Sequence, residues 1–152
     1  MSADGRAQGQ DRLYPPRPIL AVSVAVFRGP RALIIRRAQA PLAGLYSLPG
    51  GAVEVGETLA EACLRELEEE VGVRADIVAF NRHLEPIRRE GLSIVSHYVI
   101  ASFVGLWRAG EARASAEADD ARWIEPQDIE GFQTTPGLKD VLLSAAQIIR
   151  SR

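Results

Sequence analysis

The chain has 152 residues, of which 47% are hydrophobic and 25% are charged, and its formal net charge is -2. These values fit one folded domain, and they argue against wholesale disorder and against a dense basic surface for nucleic acid. Cys63 is the only cysteine, which excludes an internal disulfide and favours a reducing, cytoplasmic setting. No apolar run reaches the length of a membrane span, so we expect no membrane partner.

The N-terminal part of the chain divides into an arm and a hairpin. Residues 1–17 are rich in Gly, Gln, Asp, Arg and Pro, which predicts a flexible arm before a single domain over residues 18–152. Ile19 to Phe27 and Ala32 to Arg36 are apolar runs on either side of the turn residues Gly29-Pro30. This arrangement predicts a β-hairpin.

Two arginines end the second strand of that hairpin. Arg36 and Arg37 have two interpretations, charge at the edge of the sheet or contact with a substrate phosphate. The chain then predicts a loop, a short strand from Leu45 to Leu48, and a turn at Pro49 to Gly51. The paired glycines allow the backbone to approach a ligand or a metal closely.

A helix is predicted to begin after Thr58, because Thr58 and Glu61 have the spacing of a capping box. Gly72 is the residue type that commonly ends a helix in the left-handed conformation. At about 100° per residue, the apolar side chains between them share one stripe, which we expect to be buried. The residues of this stripe are Ala60, Cys63, Leu64, Leu67 and Val71.

The same helix carries a second face of carboxylates. Glu66, Glu69 and Glu70 stand in an i, i+3, i+4 relation, and Arg65 alone cannot neutralise them. One interpretation is a solvated acidic surface. The other is a site for a hard divalent cation such as Mg2+, which takes oxygen ligands.

Two strands are predicted after the helix, from Ala75 to Phe80 and from Ser93 to Val104. His97 lies among apolar neighbours in the second strand, so it is either a buried, hydrogen-bonded histidine or a ligand contact. Ala109 to Asp120 is small, polar and acidic, which predicts a loop.

The C-terminal part predicts a strand at Arg122 to Ile124, a helical turn at Gln127 to Ile129, and a last helix capped by Thr135 with Pro136 at its first position. The apolar stripe of the last helix should pack on the sheet. That stripe consists of Leu138, Val141, Leu142, Ala145 and Ile149. The order of elements indicates an α+β fold with a mixed or antiparallel sheet.

The stretch from Gly51 to Val73 carries a longer and more specific pattern. It reads Gly51, five residues, Glu57, seven residues, Arg65-Glu66, aliphatic Leu67, one residue, Glu69-Glu70, one residue, Gly72 and aliphatic Val73. This pattern resembles the Nudix box of the MutT-like pyrophosphohydrolases at every specified position. The preceding run from Tyr46 to Gly51 is also similar to the segment that leads into the box in that family.

The resemblance covers roughly residues 18 to 150 and implies an α/β/α sandwich on a mixed sheet. It also implies a hydrolase in which water attacks the pyrophosphate of a nucleoside diphosphate linked to another group. The implied cofactor is Mg2+, with Mn2+ as an alternative. We expect a small-molecule nucleotide as the partner, and a homodimer is left open.

The family roles map onto this chain residue by residue. The resemblance implies that Glu66, Glu69 and Glu70 bind metal together with the carbonyl of Gly50. It also implies that Arg65 orients a neighbouring carboxylate. Glu54 and Glu57, just before the helix, are expected either to turn toward the same cation or to pair with Arg65.

The general base has two candidates at this stage. One is a box glutamate, Glu69 among them, and the other is an acid from the loop before Trp123. In that loop we favour Glu117 over its neighbours Asp119 and Asp120.

The substrate is predicted less sharply. The runs from Leu45 to Gly51 and from His97 to Ile100 resemble bacterial ADP-ribose pyrophosphatase-like proteins. However, Arg88-Arg89 replace a proline of typical ADP-ribose enzymes, and Glu90-Gly91 replace the tyrosine of dinucleoside polyphosphate hydrolases. We expect ADP-ribose or another nucleotide sugar first and an oxidised nucleoside triphosphate second. The alternative from another class is a non-catalytic ligand sensor, which the complete box disfavours.

Overall fold

The computed structural model describes residues 12–152. Most of the predicted arm, residues 1–11, lies outside the described residues, and the backbone N–H of Tyr14 donates to the carbonyl of Val95 at 2.9 Å. The strands are β1 (Ile19–Arg28), β2 (Arg31–Arg37), β3 (Tyr46–Ser47), β4 (Gly50–Ala52), β5 (Arg74–Leu84), β6 (Ile87–Glu90), β7 (Ser93–Ala109) and β8 (Ala118–Ile124). The helices are α1 (Leu59–Val71), a 3-10 helix (Pro126–Gly131) and α2 (Leu138–Arg150).

The central strand of the sheet is β1, which pairs in parallel with β7 and antiparallel with β2 and β4. The path through the sheet is β3-β2-β1-β7-β5, while β6 pairs with β7 and β8 pairs with β2. Ser23 of β1 lies between Gly50 and Ser102, and its hydroxyl donates to the Ser102 hydroxyl at 2.9 Å. The sheet is therefore mixed, as the resemblance implied.

Each helix covers a different set of sheet residues, because alternate residues of a strand point to opposite faces. Val24 of β1 packs in one cluster with Cys63 and Leu67 of α1, whereas Phe27 packs in the other with Leu142 of α2. The predicted α/β/α arrangement is confirmed. Burial raises the pKa of the Cys63 thiol to about 12, so it is a core residue rather than a reactive one. No helix in the described part is long and apolar enough to cross a membrane.

The buried stripe of α1 differs from the prediction at four positions. Ala60 is only half-buried, whereas Ala62 is fully buried. Leu64 is 38% exposed, whereas the carboxylate-bearing Glu70 is 4% exposed. Helical periodicity places the two residues at opposite borders of the apolar stripe, and strand β4 contacts the Glu70 border through the N–H of Gly50. A carboxylate is therefore buried on α1, and one of the predicted core leucines is not.

Two local predictions were also wrong. The turn predicted at Pro49 to Gly51 is replaced by strand β4, because Gly50 and Gly51 pair with β1. The last helix does not have Thr135 as its cap. It begins at Leu138 after Gly137, which has a φ of 84° and supplies no side-chain cap.

Candidate metal centre

Helix α1 is fixed at both ends, and this fixes the direction of its carboxylates. The hydroxyl of Thr58 accepts a hydrogen bond from the backbone N–H of Glu61 at 3.1 Å, as the capping box predicts. At the other end, Gly72 has a φ of 72°, and its N–H donates to the carbonyl of Glu68 at 2.9 Å. The helix predicted from Thr58 to Gly72 is thus confirmed.

Three carboxylates converge at the inner side of α1. Glu66 and Glu70 come from the helix, and Glu117 comes from the segment 110–117 between β7 and β8, here called the strap. One carboxylate oxygen from each residue lies within 4.8 Å of those from the other two. This spacing is short enough for one cation to contact all three.

The paired glycines Gly50 and Gly51 allow this approach. A Cβ atom on Gly51 would lie 2.5 Å from the carboxyl carbon of Glu66. A Cβ atom on Gly50 would lie 2.1 Å from the carbonyl oxygen of Val22 on β1. Gly50 also donates its N–H to Oε1 of Glu70 at 3.2 Å. The glycines therefore bring strand β4 against the carboxylates as well as against β1.

Arg65 lies beside the three carboxylates and is already surrounded by oxygen acceptors. Its Nε and Nη2 atoms donate to the two oxygens of Glu57 at 2.6 and 2.9 Å. Its Nη1 atom donates to Glu66 at 2.9 Å and to Glu69 at 3.3 Å, and Nη2 also reaches the carbonyl of Ala52 at 3.1 Å. Arg65 therefore links the loop before α1 to the helix.

The pKa values of the carboxyls separate the residues that Arg65 neutralises from those that it does not. Pairing with Arg65 lowers the pKa of Glu57. Burial raises the pKa of Glu66 even though Arg65 opposes the change. Burial, together with the neighbouring charge of Glu66, raises the pKa of Glu70 to about 9. Without a cation, the Glu66 and Glu70 pair therefore favours a protonated form.

The donor set fits a hard divalent cation. Within residues 12–152, neither Glu70 nor Glu117 makes an ion pair with a cationic side chain, whereas Glu66 shares only Arg65. Buried carboxylates without a cation raise their pKa values, and a bound divalent ion reverses that effect. All the ligand atoms are oxygens, which is the preference of Mg2+ and Mn2+. The structure thus favours the cation site over the solvated acidic surface.

Comparison with known proteins places this geometry in a family. The NUDIX domain matches residues 17–144 of the chain. The chain belongs to the Nudix family. The prediction of an enzyme of the Nudix hydrolase family is confirmed as well.

Individual relatives agree with this assignment. An ADP-ribose pyrophosphatase of Methanocaldococcus jannaschii is 32% identical over 115 residues, covering 75% of this chain and 65% of the relative. A putative 8-oxo-dGTP diphosphatase 2 of Mycobacterium tuberculosis is 36% identical over 112 residues, covering 69% and 79%. The crystal structure of a MutT NUDIX hydrolase from Burkholderia pseudomallei superposes with a TM-score of 0.75 at 26% identity, covering 84% and 98%. The chain thus spans slightly less than two thirds of the archaeal relative.

Glu69 and Glu54, two of the acidic residues considered for the cation, lie outside the group of three. Glu69 is bound to Arg65, and its side chain is 54% exposed. Glu54 lies 3.8 Å from Arg65, and its side chain is 59% exposed. Of the two alternatives for Glu54 and Glu57, the structure shows the pairing with Arg65. The metal role of Glu69 and that of the Gly50 carbonyl stay predictions.

The predicted substrate contacts lie in three different environments. Arg36 donates from Nε to Asp119 at 2.6 Å, whereas Arg37 donates from Nε to the carbonyl of Pro41 at 3.0 Å. Arg37 also pairs across the sheet with Ala118, the residue after Glu117. His97 is half-buried on β7, and its ring makes no hydrogen bond within the described range. Arg37 is therefore the predicted contact that the strand register brings beside the metal centre.

The sequence did not reveal a polar network on the neighbouring strands. The hydroxyl of Tyr46 donates to Asp120, which also accepts from Nε of Arg122 at 2.8 Å. Burial and the bond to Asp120 raise the pKa of Tyr46, and the same bond lowers the pKa of Asp120. Tyr46 is on β3 whereas Asp120 and Arg122 are on β8, so no spacing in the sequence joins the tyrosine to the other two. The alternation of Asp120 and Arg122 on one face of β8 was the available signal.

Proposed function

We propose that this chain is a divalent-metal-dependent pyrophosphohydrolase that cleaves a nucleoside diphosphate linked to another group. The observation that carries the proposal is the convergence of the Glu66, Glu70 and Glu117 carboxylates within 4.8 Å. Two of them belong to the Nudix box, and the strap supplies the third. A pyrophosphate is a dense negative charge, so its hydrolysis requires charge neutralisation more than covalent catalysis.

Each residue of the centre has a role in this proposal. Glu66, Glu70 and Glu117 would hold Mg2+ or Mn2+, which when bound neutralises the pyrophosphate and lowers the pKa of the attacking water. Arg65 keeps the Glu66 carboxylate in place and closes the loop before α1 through Glu57. Glu117 is the most exposed of the three ligands, which suits it to accept a proton from water as well.

The substrate of first choice is ADP-ribose or another nucleotide sugar. The archaeal relative named as an ADP-ribose pyrophosphatase supports this choice. The mycobacterial relative named as a putative 8-oxo-dGTP diphosphatase supports the second candidate, an oxidised nucleoside triphosphate. Arg37 is the proposed phosphate contact, since its strand partner adjoins Glu117.

The decisive experiment is a hydrolysis screen with identification of the products. ADP-ribose, other nucleotide sugars and 8-oxo-dGTP are each incubated with the enzyme, with and without Mg2+. We expect two phosphorylated products from a nucleotide sugar, and a nucleoside monophosphate plus pyrophosphate from the triphosphate. Both reactions should stop when the metal is chelated.

Two variants define the control for this screen. Glu70→Gln removes a charge from the centre while keeping the shape of the side chain, so it should lose metal-dependent turnover. Glu68→Gln alters an exposed residue of the same helix, 3.4 Å from Arg74, and should keep it. Tight binding of ADP-ribose without turnover by the unaltered protein would instead support the ligand sensor.

A further inference from the structure

The strap that carries Glu117 is attached to the end of the helix that carries Glu70. The N–H of Arg113 donates to the carbonyl of Val71, the residue after Glu70, at 3.1 Å. At the start of the strap, a Cβ atom on Gly110 would lie 2.3 Å from the carbonyl oxygen of Gly72. The first half of the strap therefore follows the backbone of α1 closely.

Arg113 also supplies a positive charge at the C-terminal end of α1, where the helix itself has none. The last turn of α1 contains no basic residue, although its free carbonyls carry partial negative charge. The guanidinium of Arg113 lies 3.1 Å from the point where a Cβ atom of Gly72 would stand. The strap thus contacts the helix end through both backbone and charge.

In the second half of the strap, the side chain of Ser115 stabilises a turn. The hydroxyl of Ser115 accepts hydrogen bonds from the backbone N–H of Glu117 at 3.2 Å and of Ala118 at 3.3 Å. The N–H of Ser115 donates to the carbonyl of Ala118 at 2.7 Å. A serine hydroxyl that accepts from the following backbone amides fixes the direction of a tight turn.

The outer side of the strap is held by the segment after β2. The N–H of Ala38 donates to the carbonyl of Glu117 at 3.0 Å. The side-chain amide of Gln39 donates to the carbonyl of Ala116 at 3.2 Å. Both the N–H and the carbonyl of Glu117 are therefore hydrogen-bonded, so the backbone of this residue is fixed. Its carboxylate lies within 4.8 Å of those of Glu66 and Glu70 on α1.

We propose that Ser115 is a positioning residue, whose hydroxyl holds the Glu117 carboxylate at the Glu66 and Glu70 pair. The inference rests on the proposed function, since it assigns Glu117 to the metal centre. Ser115 itself touches neither metal nor substrate in this assignment. Its effect passes through the backbone of Glu117, as residues behind metal ligands commonly act.

The test measures metal binding by the protein without substrate. Titration with Mn2+, followed by the electron paramagnetic resonance signal of the free ion, gives an affinity that does not depend on activity. Ser115→Ala should weaken Mn2+ binding by about tenfold or more, the usual scale for removing a residue behind a ligand. Ser115→Thr keeps the hydroxyl and should restore the affinity.

A matched control comes from another half-buried serine. The hydroxyl of Ser144, on helix α2, donates to the side chain of Asn81 at 2.7 Å. Helix α2 packs on the other side of the sheet from α1. Ser144→Ala should therefore leave Mn2+ affinity unchanged. In a Glu117→Gln background, Ser115→Ala should add little further loss, because the carboxylate that it positions has already been removed.

The outcomes separate this inference from the proposed function. If Glu117→Gln binds Mn2+ as tightly as the unaltered protein and keeps its kcat, Glu117 is not in the centre. The positioning role of Ser115 then fails, whereas the hydrolase activity stands and its metal centre reduces to Glu66 and Glu70. If Glu117→Gln binds Mn2+ more weakly while Ser115→Ala binds Mn2+ normally, Glu117 belongs to the metal centre but Ser115 does not position it. Equal losses from Ser115→Ala and Ser144→Ala would likewise reduce Ser115 to a general structural role.

Discussion

The raised pKa of Glu70 predicts that the metal-free protein loses stability as the pH rises. In the folded chain the pKa of Glu70 is about 9, compared with an ordinary value of 4.5. Between these two values the folded state retains a proton that the unfolded state has released. The unfolded state binds fewer protons, so the free energy of unfolding falls as the pH increases. Glu70→Gln, an uncharged analogue of the protonated side chain, should remove this dependence.

The size of the effect follows from linkage. One proton changes the free energy of unfolding by about 1.4 kcal/mol per pH unit, which gives an upper limit of about 4 kcal/mol between about pH 5 and pH 8. Glu66 and Glu70 titrate as a coupled pair, so this change belongs to the pair rather than to Glu70 alone. In a chain of this length, each 1 kcal/mol lost lowers the Tm by about 2–4 °C.

The assay is thermal unfolding in chelator across the pH series, with Glu68→Gln as the control. The difference in Tm between the unaltered protein and Glu70→Gln isolates the Glu70 contribution from all other titrations. Mg2+ should raise the Tm of the unaltered protein most at high pH, where it no longer competes with the proton. If the plots of Tm against pH are parallel for the unaltered protein and Glu70→Gln, the pKa of Glu70 is not raised by burial without a cation, and the reasoning is refuted.

Three further variants test the surroundings of the centre. Arg65→Lys should lower kcat at saturating Mg2+ by about tenfold or more, because an ammonium cannot make the two-pronged contact; an unchanged rate would show that charge alone suffices. Gly51→Ala should abolish the Mg2+-induced rise in Tm, since its Cβ atom would lie 2.5 Å from the Glu66 carboxyl, whereas Gly131→Ala, with open space, should not. Glu117→Gln should lower kcat by about a hundredfold if Glu117 is the base; a pH–rate profile with an unaltered acidic limb would exclude that role.

Helix α1 and the hairpin of β1 and β2 were predictable because their signals are local. The capping box at Thr58 and the terminal Gly72 can be recognised from neighbouring residues alone, and both cap α1 in the structure. The hairpin was equally local, since apolar runs flank Gly29. The incorrect cap of α2 shows the limit of this reasoning, because Thr135 instead donates its N–H to the carbonyl of Tyr46. A distant strand thus overrides the local preference.

The metal centre was predictable only in part, since helical spacing cannot show which carboxylate is buried. Glu66, Glu69 and Glu70 have equivalent claims in the sequence, whereas the structure separates them through contacts with distant residues. Gly50 donates to Glu70, and Arg65 draws Glu69 toward the loop before α1. The proposed inclusion of Glu117 depends on the course of the strap, and no pattern within the box specifies it.

The parallel pairing of β1 with β7 also governs the order in which the chain can fold. Ser23 and Ser102, paired side by side, are separated by 79 positions, so closing this loop carries a large entropic cost before any contact repays it. Strand β4 and helix α1 are synthesised before β7, yet the central strand on which they pack gains its parallel neighbour only when β7 emerges. During synthesis on the ribosome, about a quarter of the chain must still be made after α1 before β7 can pair with β1 and complete the sheet on which α1 packs.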